Sequence, residues 1–543
     1  MMSKHFKRLI FSGIFACATT WVAAQSAEEP PKNWFNLDPK TDKVNGVSTE
    51  KSYQELLKGK PSQTVIVAII DSGVDIEHED LKDKIWKNPR EIPNNGIDDD
   101  GNGYIDDVHG WNFIGGKDGK HVNQDTYEFT RIYVKFKNKF EGKKEADISP
   151  ADKKDYEIFL KAKKIYEKKW EEYKPQQEPV NTFYVNFQYA KKLLEAYWNT
   201  EELTMEMLEE TPTKDAQIER AKNILMQSYS IFGSLDESKL KEYKDYIDEQ
   251  VNYNLNIDFD PRSIVGDNYE DKKERFYGNN DVKGPDAKHG THVAGIVAAK
   301  RGNGIGMEGV AENVRIMPIR AIPNGDERDK DVANAIRYAV DNGAKVINMS
   351  FGKSFSPEKE IVDEAIRYAE QKGVLLIHAA GNDSENIDEG EHYPRKESLN
   401  ERKNATHWIE VGALSWKGGE DAVGNFSNFG KKSVDVFSPG VDIYSTTPEN
   451  TYQSLNGTSM AAPVTAGIAA VLFSYYPHLT AVQVRDIILK STIKMPNLKV
   501  KKPGAEEGDA LVNFGDLSVT GGVVNLYEAI KLAESIKPTI PKR

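Results

Sequence analysis

The stretch KHGTHVAGIVAAK, residues 288–300, carries His289 and His292 three positions apart at the start of an apolar run. A zinc-protease helix needs histidines at i and i+4 with a glutamate between them. Here the spacing is i, i+3, no glutamate intervenes and no third ligand is obvious. A base histidine at the mouth of a helix fits better than zinc. In LNGTSMAAPVTAGIAAVL (455–472), Ser459 opens an Ala-rich helical stretch. Its hydroxyl would lie beside orphan backbone N–H groups and the positive end of the helix dipole, which suits a nucleophile whose substrate develops an oxyanion. The same serine also reads as a plain helix cap. HAAGND (378–383) follows the run GVLLI and presents Asn382, either an amide donor to an oxyanion or a turn residue. TVIVAII (64–70) runs into Asp71, an acid where α/β folds build their sites, but also where a capping or turn aspartate sits.

These four residues need elements to hold them. Short β-branched runs recur: TVIVAII (64–70), VRIMPIRA (314–321), AKVINMS (344–350) and GVLLIHAAG (373–381). Helical patterns follow several of them, as in DKDVANAIRYAVDNG (329–343) and SPEKEIVDEAIRYAEQKG (356–373). Apolar strands alternating with amphipathic helices imply a parallel sheet covered on both faces. Gly290, Ala294, Gly295 and Ala298 let the His289 helix pack closely against its neighbours.

Between about 120 and 261 the pattern changes. The stretches 153–174, 186–198, 216–232 and 237–251 are charged and aromatic at helical spacing, and Ser149-Pro150-Ala151-Asp152 is a helix start. This reads as a largely helical insertion of about 140 residues with one apolar face. The expected organisation is a leader (1–24), an N-terminal extension (25–62), an α/β domain split into 63–119 and 262–535, the insertion at 120–261 and a short tail (536–543).

The chain has 543 residues and a formal net charge of −13, which argues against nucleic acid and anionic membranes as partners. Lys4, Lys7 and Arg8 precede an apolar stretch, Leu9–Ala24, too short for a confident membrane span. Val22-Ala23-Ala24 suits signal peptidase, so cleavage before Gln25 and export to the periplasm or medium are expected. The alternative is a lipoprotein anchored at Cys17, the sole cysteine, where Phe15 fits poorly two positions upstream. No later stretch is long and apolar enough to span a bilayer.

Taken together, IIDSGVDIEHEDL (69–81), HGTHVAGIVAA (289–299), NMSFG (348–352), HAAGN (378–382) and NGTSMAAPVTAG (456–467) resemble the subtilisin-like serine proteases, the subtilases. Their order, Asp…His…Asn…Ser, is that family's. The resemblance covers about 63–116 and 265–475, more weakly to about 530, and leaves out the insertion. It implies a three-layer α/β/α core and an endopeptidase working through an acyl-enzyme. Ser459 would be the nucleophile, His289 the base and Asp71 its orienting acid. Asn382, with the Ser459 N–H, would form the oxyanion hole. Ser350, Phe351 and Gly352 would pair with an extended protein or peptide substrate and wall the pocket for the residue before the cleaved bond. Ala379, Ala380 and Gly381 would line the opposite wall, and His392-Tyr393-Pro394 would lie near the floor. Many relatives have a small residue before that tyrosine, so His392, with Glu391 beside it, argues against a large apolar preference.

The competing reading is an inactive peptide-binding scaffold on the same fold. A lipase or esterase would need a G-x-S-x-G elbow in the order Ser…Asp…His, which is absent. No cofactor is needed for the chemistry. NNGIDDDGNGYIDDVHGW (94–111), however, begins like an EF-hand loop, with Asp98, Asp100, Asn102, the Tyr104 carbonyl and Asp106 as ligands. His109 stands where the bidentate glutamate belongs, so a structural Ca²⁺ without a full EF-hand is expected. The N-terminal extension is short for an inhibitory prodomain. The Trp34 region and the insertion are expected to cap or regulate the cleft, or the insertion to bind a partner.

Overall fold

The computed structural model describes residues 29–400 and 403–536. The expected leader, Cys17 and nearly all of the tail lie outside them. The chain forms two compact units: one runs up to Asn123 and resumes at Arg262, and Gln124–Pro261 forms the other.

The first unit is built on a nine-stranded sheet. β1 (Val65–Asp71), β2 (Trp111–Asn112), β3 (Val314–Arg320), β4 (Val346–Met349), β5 (Leu375–Ala379), β6 (Trp408–Leu414) and β7 (Val436–Pro439) are joined by the short strands Ile493–Lys494 and Gly522–Val523. Across the sheet the order is Ile493–Lys494, Gly522–Val523, β7, β6, β5, β4, β1, β3, β2. Every pairing is parallel except that of the two short strands. This is the expected mainly parallel α/β core.

Alternation along β1 sorts its side chains between two layers. Val65, Val67 and Ile69 join the core that holds the helices Lys288–Ala298 and Thr458–Tyr475. Ala68 and Ile70 join the core under Asp329–Asp341 and Lys359–Gln371. With both faces covered, the strands are buried almost throughout. The chain leaves β1 for β3 on one side and returns to β4 on the other. The carboxyl ends of β1 and β4 therefore flank a crevice, the usual place for a site in such sheets.

The N-terminal extension differs from the expected cap. Trp34 and Phe35 are fully buried in the main core, and Trp34 Nε1 donates to the Asp442 carbonyl (3.1 Å). The Leu526 N–H donates to the Val47 carbonyl (2.9 Å), and Asn525 Nδ2 to Ser48 Oγ (2.8 Å). Residues 34–57 are a strap of the core, because two large aromatic rings gain more from burial there than from shielding a wet cleft.

The second unit is helical, as its patterning implies. Ala216–Phe232 and Ser238–Glu249 fall on the expected stretches. Ser149 caps its turn, accepting the Asp152 N–H (3.3 Å). The stretches 153–174 and 186–198 fuse into one helix, Lys153–Trp198, that runs through Pro175 and Pro179. Proline removes a backbone donor and crowds the preceding turn. Contacts with Ser238–Glu249 hold the helix across the break: Tyr243 Oη donates to Gln176 Oε1 (2.7 Å), and Gln177 Nε2 to Asp248 Oδ1 (3.0 Å).

Candidate active site

Asp71 is the last residue of β1 and its side chain is buried. Its Oδ1 accepts the Ser72 N–H (2.8 Å) and the Nδ1–H of His289 (2.7 Å), while Oδ2 is buried without a protein partner. His289 lies in the first turn of Lys288–Ala298, with 39% of its side chain exposed. The next residue must be glycine, since a Cβ on Gly290 would lie 2.1 Å from the Gly73 carbonyl oxygen. This close approach seats the imidazole on the aspartate. Burial depresses the basicity of His289, but the charge and hydrogen bond of Asp71 outweigh it, and the net shift is upward.

Ser459 stands at the start of Thr458–Tyr475. Only Ser459 and Tyr475 of that helix are not buried, so the serine is the open end of a sealed rod. Against the expectation that no stretch after the leader could span a bilayer, this helix is long and apolar enough to cross a membrane, but it is buried as the core of this unit. Ser459 Oγ donates to the Ser350 carbonyl (3.2 Å) and makes no hydrogen bond to His289. Such contacts commonly tighten only when substrate binds.

Asn382 is fixed the right way round for a donor. Its Oδ1 accepts the Thr458 N–H (2.8 Å) and Oγ1–H (3.0 Å), which turns Nδ2 outward. The Ser459 nitrogen and Asn382 Nδ2 lie 3.5 and 3.6 Å from the point where Gly457 would carry a Cβ. Glycine leaves that space open, faced by a first-turn N–H and an amide N–H. Thr458, which the sequence places with Ser459 at the start of the helix, braces Asn382. Its Oγ1 also accepts the Gly381 N–H (3.0 Å), and its place between Gly457 and Ser459 was the available signal.

The cleft residues divide. Ser350 Oγ accepts from Asn348 Nδ2 (2.9 Å) and donates to the Ser459 carbonyl (2.9 Å), tying the end of β4 to the serine. Phe351 is half-buried and Gly352 exposed. Opposite them, Ala379 is buried and Gly381 half-buried. Ala380 is wholly buried in a separate core cluster with Ile387 and Leu414, so its methyl does not line the wall as expected. Ala380 lies one residue beyond β5.

His292 is fully buried and lies outside this group. Its Nε2–H donates to the Gln453 carbonyl (3.0 Å), and burial pushes its pKa down to about 3. His292→Ala should leave turnover intact while lowering stability by about 2–4 kcal/mol, the cost of a core cavity. Denaturant unfolding beside a peptidase assay checks both halves.

In the acidic loop, ligand oxygens of Glu91, Asp98 and Asp100 lie within 4.8 Å of one another. Asp106 is not among them: its carboxylate accepts the Asn95 and Gly96 N–H groups (3.0 and 2.9 Å), while the Asp98 carboxylate accepts those of Asn102 and Gly103 (3.0 and 2.7 Å). Asn102 Oδ1 accepts the Tyr104 N–H (2.8 Å), and its Nδ2 donates to Asp107 Oδ2 (3.0 Å). The Tyr104 ring packs against Trp111 and Tyr338. Glu91, absent from the expected set, is buried with Oε2 unpartnered, and burial raises its pKa.

The subtilase family model matches residues 62–515. The thermophilic serine proteinase of Bacillus sp. (strain AK1) is 39% identical over 230 residues, which cover 42% of this chain and 51% of that protein. The cell wall-associated protease of Bacillus subtilis (strain 168) is 34% identical over 222 residues, or 41% of this chain and 23% of that protein. Subtilisin DY of Bacillus licheniformis is 41% identical over 203 residues, or 36% of this chain and 68% of that protein. The chain thus spans about half the length of the first of these and under a quarter of the second.

Proposed function

The chain belongs to the subtilase family, and from that premise we propose that it is a serine endopeptidase cutting proteins and peptides through an acyl-enzyme. The observation that carries the reading is the Asp71–His289 hydrogen bond at the carboxyl end of β1, beside a helix whose one open first-turn residue is Ser459. Ser459 Oγ attacks the scissile carbonyl carbon as His289 Nε2 takes its proton. Asp71 stabilises the imidazolium. The Ser459 N–H and Asn382 Nδ2 receive the oxyanion. Collapse of the tetrahedral species breaks the C–N bond, and His289 returns the proton to the leaving amine. Water, deprotonated by the same imidazole, then frees the acid and Ser459. A fluorophosphonate probe tests the reading. Labelling at Ser459, lost in Ser459→Ala, is expected, and an unlabelled native protein would instead be a binding scaffold.

Asn382→Ala should lower kcat by about 10²–10³-fold with little change in KM, the cost of one oxyanion donor. Steady-state kinetics on a peptide substrate read this directly.

A structural Ca²⁺ in the acidic loop is part of the proposal. Glu91, Asp98 and Asp100 supply the hard oxygen donors such a cation takes, and the unpartnered Glu91 Oε2 fits that use. The ion would neutralise clustered carboxylates and brace the loop. At a hundredfold excess over its Kd it should add about 2.7 kcal/mol, read as a rise in Tm that EGTA reverses and Glu91→Gln weakens. An unchanged Tm would reject the site. Export follows from the basic and apolar leader, and N-terminal sequencing of the mature protein should begin at Gln25.

A further inference from the structure

On the endopeptidase reading, the crevice between Ser350–Gly352 and Ala379–Gly381 receives the side chain that precedes the cleaved bond. His392 occupies it. The ring's Cε1 lies 2.6 Å from where Gly352 would carry a Cβ and 2.9 Å from the corresponding point on Gly381. The imidazole therefore reaches from wall to wall; a methyl at Gly352 would exclude it, and one at Gly381 would meet both the imidazole and Asn428 Nδ2 (2.4 Å). Its Nε2–H donates to the Ala379 carbonyl (3.3 Å).

The ring is held from its own backbone and from behind. Tyr393 and Lys353 exchange two backbone hydrogen bonds (2.9 Å each), which fasten the residue after His392 to the wall. Behind stands His378, its ring centre 5.4 Å from that of His392. His378 Nδ1 bonds Glu410 Oε1 (2.8 Å), and Nε2 bonds the Phe351 carbonyl (2.9 Å). Glu410 Oε2 accepts the Trp408 Nε1–H (2.8 Å). His378, His392 and Glu410 are close enough to hold a cation. Both His378 nitrogens and both Glu410 oxygens already have partners, so the trio is a hydrogen-bonded floor. Burial first, and then the charge of His378, hold the pKa of His392 below the ordinary histidine value, so the ring meets substrate uncharged.

We propose that His392 determines specificity: its imidazole fills the inner crevice, so the enzyme cuts after short side chains such as alanine and serine and turns away aromatic and long aliphatic ones. The cause is steric. A large ring could enter only by displacing an imidazole packed against both walls and supported by the His378–Glu410 pair. Pockets graded by size discriminate about 10–200-fold.

The experiment uses the full chain and a series of peptides identical except for Ala, Leu or Phe before the cleaved bond. Each preparation is normalised by fluorophosphonate titration of Ser459. The wild type should show kcat/KM for Ala at least tenfold above that for Phe. His392→Gly should raise Phe and lower Ala, shifting their ratio tenfold or more. Failure of the wild type to label removes the underlying endopeptidase reading. A labelled wild type that cuts after Phe as well as after Ala overturns the His392 proposal, and this holds even if the variant fails to fold. A folded, labelled His392→Gly with an unchanged ratio overturns it as well.

Discussion

Ser459→Ala and His289→Ala should each lower kcat by about 10⁶-fold, the scale established for removing either residue of the pair in subtilisin. The size follows from the chemistry. A serine hydroxyl is a weak nucleophile until a positioned base takes its proton, and neither residue works without the other. The double variant should therefore be hardly worse than either single one. Both variants should fold, since Ser459 is the open end of its helix and 39% of the His289 side chain is exposed. Single-turnover kinetics on a peptide, with unfolding curves on the same preparations, check the result. Activity within a hundredfold of wild type would remove Ser459 and His289 from the reaction.

Asp71→Asn comes second, with an expected loss of about 10⁴-fold in kcat. Here the geometry separates two roles of the aspartate. The Ser72 N–H and His289 Nδ1–H both donate to Oδ1 (2.8 and 2.7 Å), so an asparagine keeping its oxygen at that place would preserve both bonds. What disappears is the negative charge facing the imidazolium, while an amide NH₂ is forced into the buried position of Oδ2. The pH profile reports the charge. His289 must be neutral to accept the Ser459 proton, and its pKa is raised above the ordinary 6.5. In the wild type, kcat/KM should therefore fall with decreasing pH through a value above 6.5. In Asp71→Asn the raising influence is gone and burial still depresses basicity, so the acid limb should move to lower pH. An acid limb that stays in place would mean that Asp71 does not act through its charge.

Much of this site could be read in the sequence because its parts are local. β1 ends at the acid, the His289 helix starts where small residues allow close approach, and the Ser459 helix is apolar on every side. Each signal survives without knowledge of the partner. Other features depend on long-range packing and left little trace. Nothing in the composition of 25–62 says that Trp34 would find the Asp442 carbonyl, 408 residues away. Pro175 and Pro179 break a helix by local rules, and only side chains from another helix overrule them. In the acidic loop, alternating oxygens suggested a familiar winding. Backbone N–H groups claimed Asp106, and Glu91 entered from outside the motif. Ala380 is the simplest case: the residue just past β5 packs into a core cluster with Ile387 and Leu414, partners that no local pattern announces.

The strap ties two distant parts of the chain to the loop that leads to Ser459. Trp34 holds the Asp442 carbonyl, the Asp442 N–H donates to Asn456 Oδ1 (2.6 Å), and Asn456 precedes Gly457 and Ser459. The strap's other end is bonded to Asn525 and Leu526. The loop before Ser459 is thus braced by a segment that Asn525 and Leu526 clasp in turn. Loosening either clasp should therefore reach that loop through Trp34 and Asn456, as slack passes along a cord.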